Sequence, residues 1–130
     1  MKISLAMILA AAFLIAGCSR PETPKQFASP EIRQGLELAE KSQCLSCHAL
    51  DHKVIGPAWN DVSARYNRDI RSGKTSEQAV EEALEKKIAM GGKGNWIWVT
   101  GGMSMPPNAP RVSAENIRKL THFILSLRKG

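Results

Sequence analysis

The sequence predicts an all-α fold of about four short helices, and three observations carry that prediction. Apolar residues recur at helical spacing in segments that open on capping residues. Nothing in the chain reads as a sheet. Between two of the helical segments stands Cys44-Leu45-Ser46-Cys47-His48, the pattern through which a c-type haem is attached. The fold expected is therefore a few helices wrapped around one covalently held haem.

The spacing of the pentapeptide has a chemical reason. Each thiol adds across one vinyl group of the haem, and the two intervening residues let a turn of backbone span them. His48 is then held under the iron as proximal ligand. A Cys-x-x-Cys pair also serves thioredoxin-like redox couples, but these need a βαβ context that is missing around residue 44. A structural zinc site needs four ligands, and no second Cys or His pair stands at ligand spacing.

Taken in order, the chain of 130 residues is of single-domain length, with an ordinary apolar fraction of 43% and a net charge of +6. Residues 1–17 read as a signal peptide: Lys2 precedes an apolar run over residues 3–16, short for a membrane span. The run ends in Ile15-Ala16-Gly17-Cys18, which resembles a bacterial lipobox, so Cys18 is the expected lipidation site. The alternatives are an ordinary cleaved signal with a stray cysteine, or an uncleaved anchor. Three cysteines fit the lipoprotein reading, since two on haem and one on lipid leave no free thiol and no disulfide. Residues 18–28 form the lipidated terminus and a polar tether with two prolines. At about 3.1 Å per residue, the stretch after Cys18 reaches roughly 30 Å.

The folded domain is expected over residues 29–130. Ser29-Pro30-Glu31 is a helix start, with cap, first-position proline and first-turn acid; Ile32, Leu36 and Ala39 follow to an end near Ser42. Gly35, inside this helix, points to close approach by another element, a tolerated surface glycine being the alternative. Gly56-Pro57 marks a turn, residues 60–66 a short helix with Val62 and Tyr66 inward, and residues 67–74 a polar loop. Thr75 and Gln78 are expected to form a capping box before a helix whose face carries Val80, Ala83, Leu84, Lys87 and Ile88 and which stops at Gly91-Gly92. Residues 93–109 are expected to be a long loop, in which Trp96 and Trp98 share a side if the segment is extended. The last helix starts at Ser113, buries Ile117, Leu120, Ile124 and Leu127 flanked by Phe123, and closes on Arg128 and Lys129. His52 and His122 are expected on the surface, and the carboxylates form no acid–base pair. There is no phosphate loop or nucleotide fingerprint.

From residue 29 onward the chain resembles a small bacterial class I cytochrome c of the periplasmic electron-carrier type. Four blocks carry the resemblance: Gly35, nine residues before Cys44; Cys44 to Asp51 with the Ile55-Gly56-Pro57-Ala58-Trp59 turn; residues 88–96, ending in Trp96; and Met105-Pro106-Pro107-Asn108. The resemblance implies the class I fold, one haem c on Cys44 and Cys47, and His48 and Met105 as axial ligands. It also implies that the Pro57 carbonyl orients His48 and that the Trp96 indole reaches a haem propionate, ordinary packing of Trp96 being the alternative. Met103, two residues from Met105, is the rival ligand; the prolines after Met105 favour Met105. Two departures stand out. Residues 98–102 read as an insertion, and Ser104 replaces a proline often found before the ligand methionine.

Function follows from these expectations. A lipid-anchored mono-haem electron carrier on the periplasmic side of a bacterial membrane is expected, a monomer, with no catalytic residues. A haem enzyme or small-molecule sensor with a displaceable sixth ligand is the alternative. Lys53, Arg65, Arg68, Arg71, Lys74, Lys86, Lys87 and Lys93 would steer docking on an acidic redox protein, or simply solubilise the chain. Nucleic acid is not an expected partner.

Overall fold

The C-terminal helix is the element on which the others pack. The structure, a computed structural model, describes residues 29–127 and contains α1 (Pro30–Lys41), α2 (Trp59–Arg71), α3 (Glu77–Met90), the single turn α4 (Ile97–Thr100) and α5 (Ala114–Ser126). A 3-10 turn spans Cys44–Ser46. The signal segment, Cys18, the tether, Arg128 and Lys129 lie outside the described residues. Among the described residues the only strand-like pairings are isolated bridges, His48 with Lys53 and Gly92 with Met105.

The apolar stripe of α5 explains its central place. Ile117, Leu120, Phe123, Ile124 and Leu125 are all buried, and α1, α2 and α3 each pack against this helix. Ser113 caps it, its hydroxyl accepting from the Asn116 N–H at 3.2 Å. On α1, Ser29 caps as expected and Gly35 is where the helices meet. A Cβ there would lie 2.2 Å from the Phe123 ring, so only glycine lets α1 approach α5 this closely.

Three expectations need correction. α2 does not stop at residue 66 but runs to Arg71, so most of the expected polar loop is helix. Tertiary partners account for it: buried Asn67 donates from Nδ2 to the Ser63 carbonyl at 2.9 Å and to the Leu125 carbonyl of α5 at 3.0 Å. Ile70, one turn on, packs against the core. α3 is capped by Ser76, whose hydroxyl accepts from the Ala79 N–H at 3.1 Å, and not by Thr75; Gln78 reaches Glu82 instead of closing a capping box. Finally, residues 96–100 are coiled. The Val99 and Thr100 N–H groups both donate to the Trp96 carbonyl at 2.9 Å, which turns Trp96 and Trp98 to different environments.

Candidate functional site

An apolar cavity of about 240 Å³ opens between α2, α3 and α5 on one side and the segments around His48 and Met105 on the other. Cys47, His48, Pro57, Trp96, Met103 and Met105 all line it. Cys44 is half-buried and packs against the core beside the lining.

The His48 side is assembled by short-range contacts. Gln43 takes a left-handed φ of 62°, which ends α1 and sends the chain into the 3-10 turn. The His48 N–H donates to the Cys44 carbonyl at 3.0 Å, and the Gly56 N–H returns to the Cys47 carbonyl at 2.8 Å. The Trp59 and Asn60 N–H groups, at the start of α2, donate to the Ala49 and Leu50 carbonyls at 3.0 and 2.8 Å. These otherwise unpaired first-turn donors of α2 thereby dock the helix on the motif. His48 Nδ1 lies 2.9 Å from the Pro57 carbonyl, which fixes Nδ1–H as the donor and leaves Nε2 as the available ring nitrogen. A Cβ on Gly56 would fall 2.4 Å from His48 Cε1, so the backbone is pressed against the imidazole.

Behind the imidazole stands an aromatic relay to the helix crossing. The His48 ring stacks on Trp59 at 5.5 Å and 14°, and Trp59 meets Phe123 edge-on at 5.5 Å and 85°. Phe123 is the side chain that Gly35 admits, so a chain of contacts runs from the imidazole to the α1–α5 crossing. Burial holds His48 below the ordinary imidazole range, with the Pro57 carbonyl pulling the other way; the ring is neutral at neutral pH. Burial also pushes the Cys44 thiol up, opposed by the nearby Arg111 charge.

The Met105 side is held by distant elements. Gly92 and Met105 exchange backbone hydrogen bonds at 2.8 and 3.1 Å, fastening the methionine to the end of α3. Gly91 ends that helix at φ 68°, and a Cβ there would lie 2.2 Å from the Met105 carbonyl oxygen. Lys87 Nζ caps the same turn, donating to the carbonyls of Gly91 and Gly92, and burial pulls its pKa down. Asn108, buried, donates from Nδ2 to the Ile88 carbonyl at 3.0 Å and from its N–H to the Ala89 carbonyl at 3.0 Å. Arg111 then ties this side to the end of α1: Nη2 donates to Asn108 Oδ1, and Nη1 to the Ser42 carbonyl at 2.9 Å.

The remaining candidates separate clearly. Met105 is half-buried, whereas Met103 is 52% exposed though it also lines the cavity; Met90 is exposed. Trp96 lines the cavity and carries the Arg65 guanidinium 5.3 Å from its ring centroid. His52 and His122 are exposed and sit beside Asp51 and Glu81. Sequence reasoning assigned no role at the cavity to Gly56, Gly91, Asn108 or Arg111, and read Lys87 only as a docking or solubilising charge on the α3 face. A lysine on the apolar face of α3 was a usable signal for Lys87; Arg111 carried none.

The donor set and shape fit a haem c. A neutral imidazole and a soft thioether line one apolar cavity, both motif cysteines stand on one turn, and the backbone at Gly56 is cut back to seat the imidazole. Among the described residues no group of three or more His, Cys, Asp or Glu could hold a bare metal ion.

Comparison with known proteins agrees. The family described as cytochrome c matches residues 32–128. Cytochrome c-551 of Allochromatium vinosum is 38% identical over 99 residues, which is 76% of this chain and 92% of that protein. Cytochrome c-552 of Nitrosomonas europaea is 30% identical over 124 residues, covering 95% of each chain. The crystal structure of wild-type Nitrosomonas europaea cytochrome c552 superposes with a TM-score of 0.58 at 33% identity, over 72% of this chain and 99% of that one.

Proposed function

The chain belongs to the cytochrome c family, and from that premise we propose that it is a lipid-anchored carrier of single electrons. It is an electron-transfer protein and not an enzyme. Cys44 and Cys47 would hold its one haem c through thioethers, and His48 and Met105 would ligate the iron. The observation that carries this reading is that His48 and Met105 line one apolar cavity from separate loops, with Nδ1 of His48 already engaged by Pro57. A haem with both axial positions filled supplies reversible one-electron exchange and leaves no open site on the iron.

The chain's own residues set the conditions for that exchange. Pro57 orients the imidazole, Gly56 and Trp59 hold its plane, and the apolar lining would limit water at a bound haem. Trp96 would donate its indole N–H to a propionate, a reading supported by its ring at the cavity with Arg65 over it. Lipid at Cys18 rests on the Ile15-Ala16-Gly17-Cys18 pattern and the odd cysteine count. Among the described residues no helix is long and apolar enough to cross a membrane. The anchor would therefore hold the domain at the periplasmic face, where exposed Lys53, Arg68, Arg71, Lys74, Lys86 and Lys93 suit an acidic redox protein.

The optical spectrum of the oxidised protein tests the ligand set. The weak red band of iron–methionine bonding is expected; a five-coordinate spectrum with ready carbon monoxide binding would instead support an enzyme or sensor. Mass spectrometry of the mature amino terminus should find a diacylglyceryl group on Cys18, and an unmodified cysteine would remove the anchor from this reading.

A further inference from the structure

Among the described residues, the α4 turn is the most conspicuous apolar feature of the surface. Trp98 is 75% exposed, and its neighbours Ile97 and Met103 are 50% and 52% exposed. Large apolar groups gathered at one place mark an interaction site. The turn is held rigid by its own hydrogen bonds, Gly102 N–H to the Ile97 carbonyl at 3.1 Å and Met103 N–H to the Thr100 carbonyl at 3.2 Å. Gly101 and Gly102 close it at φ 62° and 84°, and a Cβ at either would meet nothing within 4 Å, so this corner stands out in solvent. It also borders the cavity, since Trp96, Thr100 and Met103 on the same turn line it. Across the opening, Ile55 is another exposed apolar lining residue.

We propose that the α4 turn is the docking element for the redox partner, with Trp98 as anchor in an apolar pocket of a protein surface bordered by carboxylates. This rests on the electron-carrier reading. Charge selects the partner: the charged residues lining the cavity are Lys87 and Lys93, with no acid among them. An apolar centre flanked by charge of one sign suits a specific protein interface, and an exposed Trp is a typical anchor. A lipid surface fits less well, because a four-residue turn offers little area to bury and its seating would cover the cavity opening. A second copy would set the same lysines against each other. Docking forms no bond; the one electron released is taken up by the partner's one-electron oxidant centre.

The test uses full-length reduced holoprotein, oxidised in separate experiments by membranes of its own bacterium and by ferricyanide. Trp98→Ala is expected to lower the second-order rate with membranes at least tenfold while the ferricyanide rate stays within twofold, and Trp98→Phe to recover most of the loss. A wild-type membrane rate in Trp98→Ala, or an equal loss with ferricyanide, would overturn the docking site. So would flotation of the unlipidated Cys18→Ser form with phosphatidylglycerol vesicles that Trp98→Ala abolishes, which makes lipid the occupant, or a concentration-dependent dimer that the substitution abolishes. If ferricyanide oxidises the wild-type protein and the membranes do not, the carrier reading falls and the docking site with it.

Discussion

On the His48 side of the cavity, the hydrogen bonds that place the imidazole all close within residues 44–60; on the Met105 side they reach back to α3 and α1. The first wall is nearly self-contained. Its turn, its returning loop and the start of α2 satisfy one another's backbone groups, and the Trp59–Phe123 contact ties it to the helix crossing. The second wall has no such local closure. Met105 is positioned by Gly92, Asn108 by Ile88 and Ala89, and Arg111 by Ser42, 69 residues away in sequence. A wall built from non-local contacts depends on the whole fold being in place, and should loosen before the local one does.

Exchanging the methionines breaks the comparison most sharply. Met105→Ala should abolish the red iron–methionine band, admit carbon monoxide and lower the reduction potential by on the order of 0.1 V, within the range that axial ligands command. Met103→Ala should leave the spectrum intact. Loss of the band in Met103→Ala alone would mean that the loop places the other sulfur.

The two glycines pressed against the ligands come next. Gly91→Ala adds a Cβ that collides with the Met105 carbonyl at a positive φ, so a loss of about 2–3 kcal/mol and a lower Tm are expected, with the red band weakened. Gly56→Ala, where the Cβ meets the His48 ring, should instead disturb the proximal imidazole while the Gly92–Met105 bridge persists. Nuclear magnetic resonance of the two ligand side chains in the reduced protein distinguishes these outcomes. Equal disturbance of both ligands by both variants would remove the distinction between the walls.

Arg111→Ala cuts the side-chain bridge from the Met105 wall to the end of α1 and leaves the buried Asn108 amide oxygen without its charged donor. A loss of about 1.5–3 kcal/mol is expected in denaturant titration, with Arg111→Lys recovering part of it. The Met105 band should fade at a lower denaturant concentration than the helical signal in Arg111→Ala, and together with it in the wild type.

The smallest effect is expected outside both walls. The Glu115 carboxyl is held below its ordinary range by its hydrogen bond to Lys119 and by that residue's charge. Its folded pKa is depressed, so any stability it lends is present above the unfolded carboxylate pKa and is lost as pH falls through the folded value. Because the pair is fully exposed, Glu115→Gln should leave Tm at neutral pH nearly unchanged and should slightly flatten the acid side of the stability curve.

The same contrast between walls decides what could be read from the residues. The haem motif, the Gly-Pro turn, the Gly35 crossing and the start of α5 are local patterns with local physics, and each is found where the sequence places it. The extra length of α2 was not legible, because Asn67 looks like a loop residue until the Leu125 carbonyl is beside it. Nor was the turn at residues 97–100, where alternating apolar residues read as extended chain but closing the backbone around Trp96 leaves Trp98 outside.

By itself the sequence determined the all-α class, the attachment motif, the capped starts of α1 and α5 and the two candidate sulfurs. These depend on spacing and residue chemistry within a few positions. Only the tertiary structure decided that Met105 is fastened to α3 while Met103 is half exposed, that Arg111 ties the Met105 wall to the end of α1, and that Trp98 faces solvent. Those outcomes depend on which distant backbone groups need a partner once the helices have packed, and no window of sequence contains both members of such a pair.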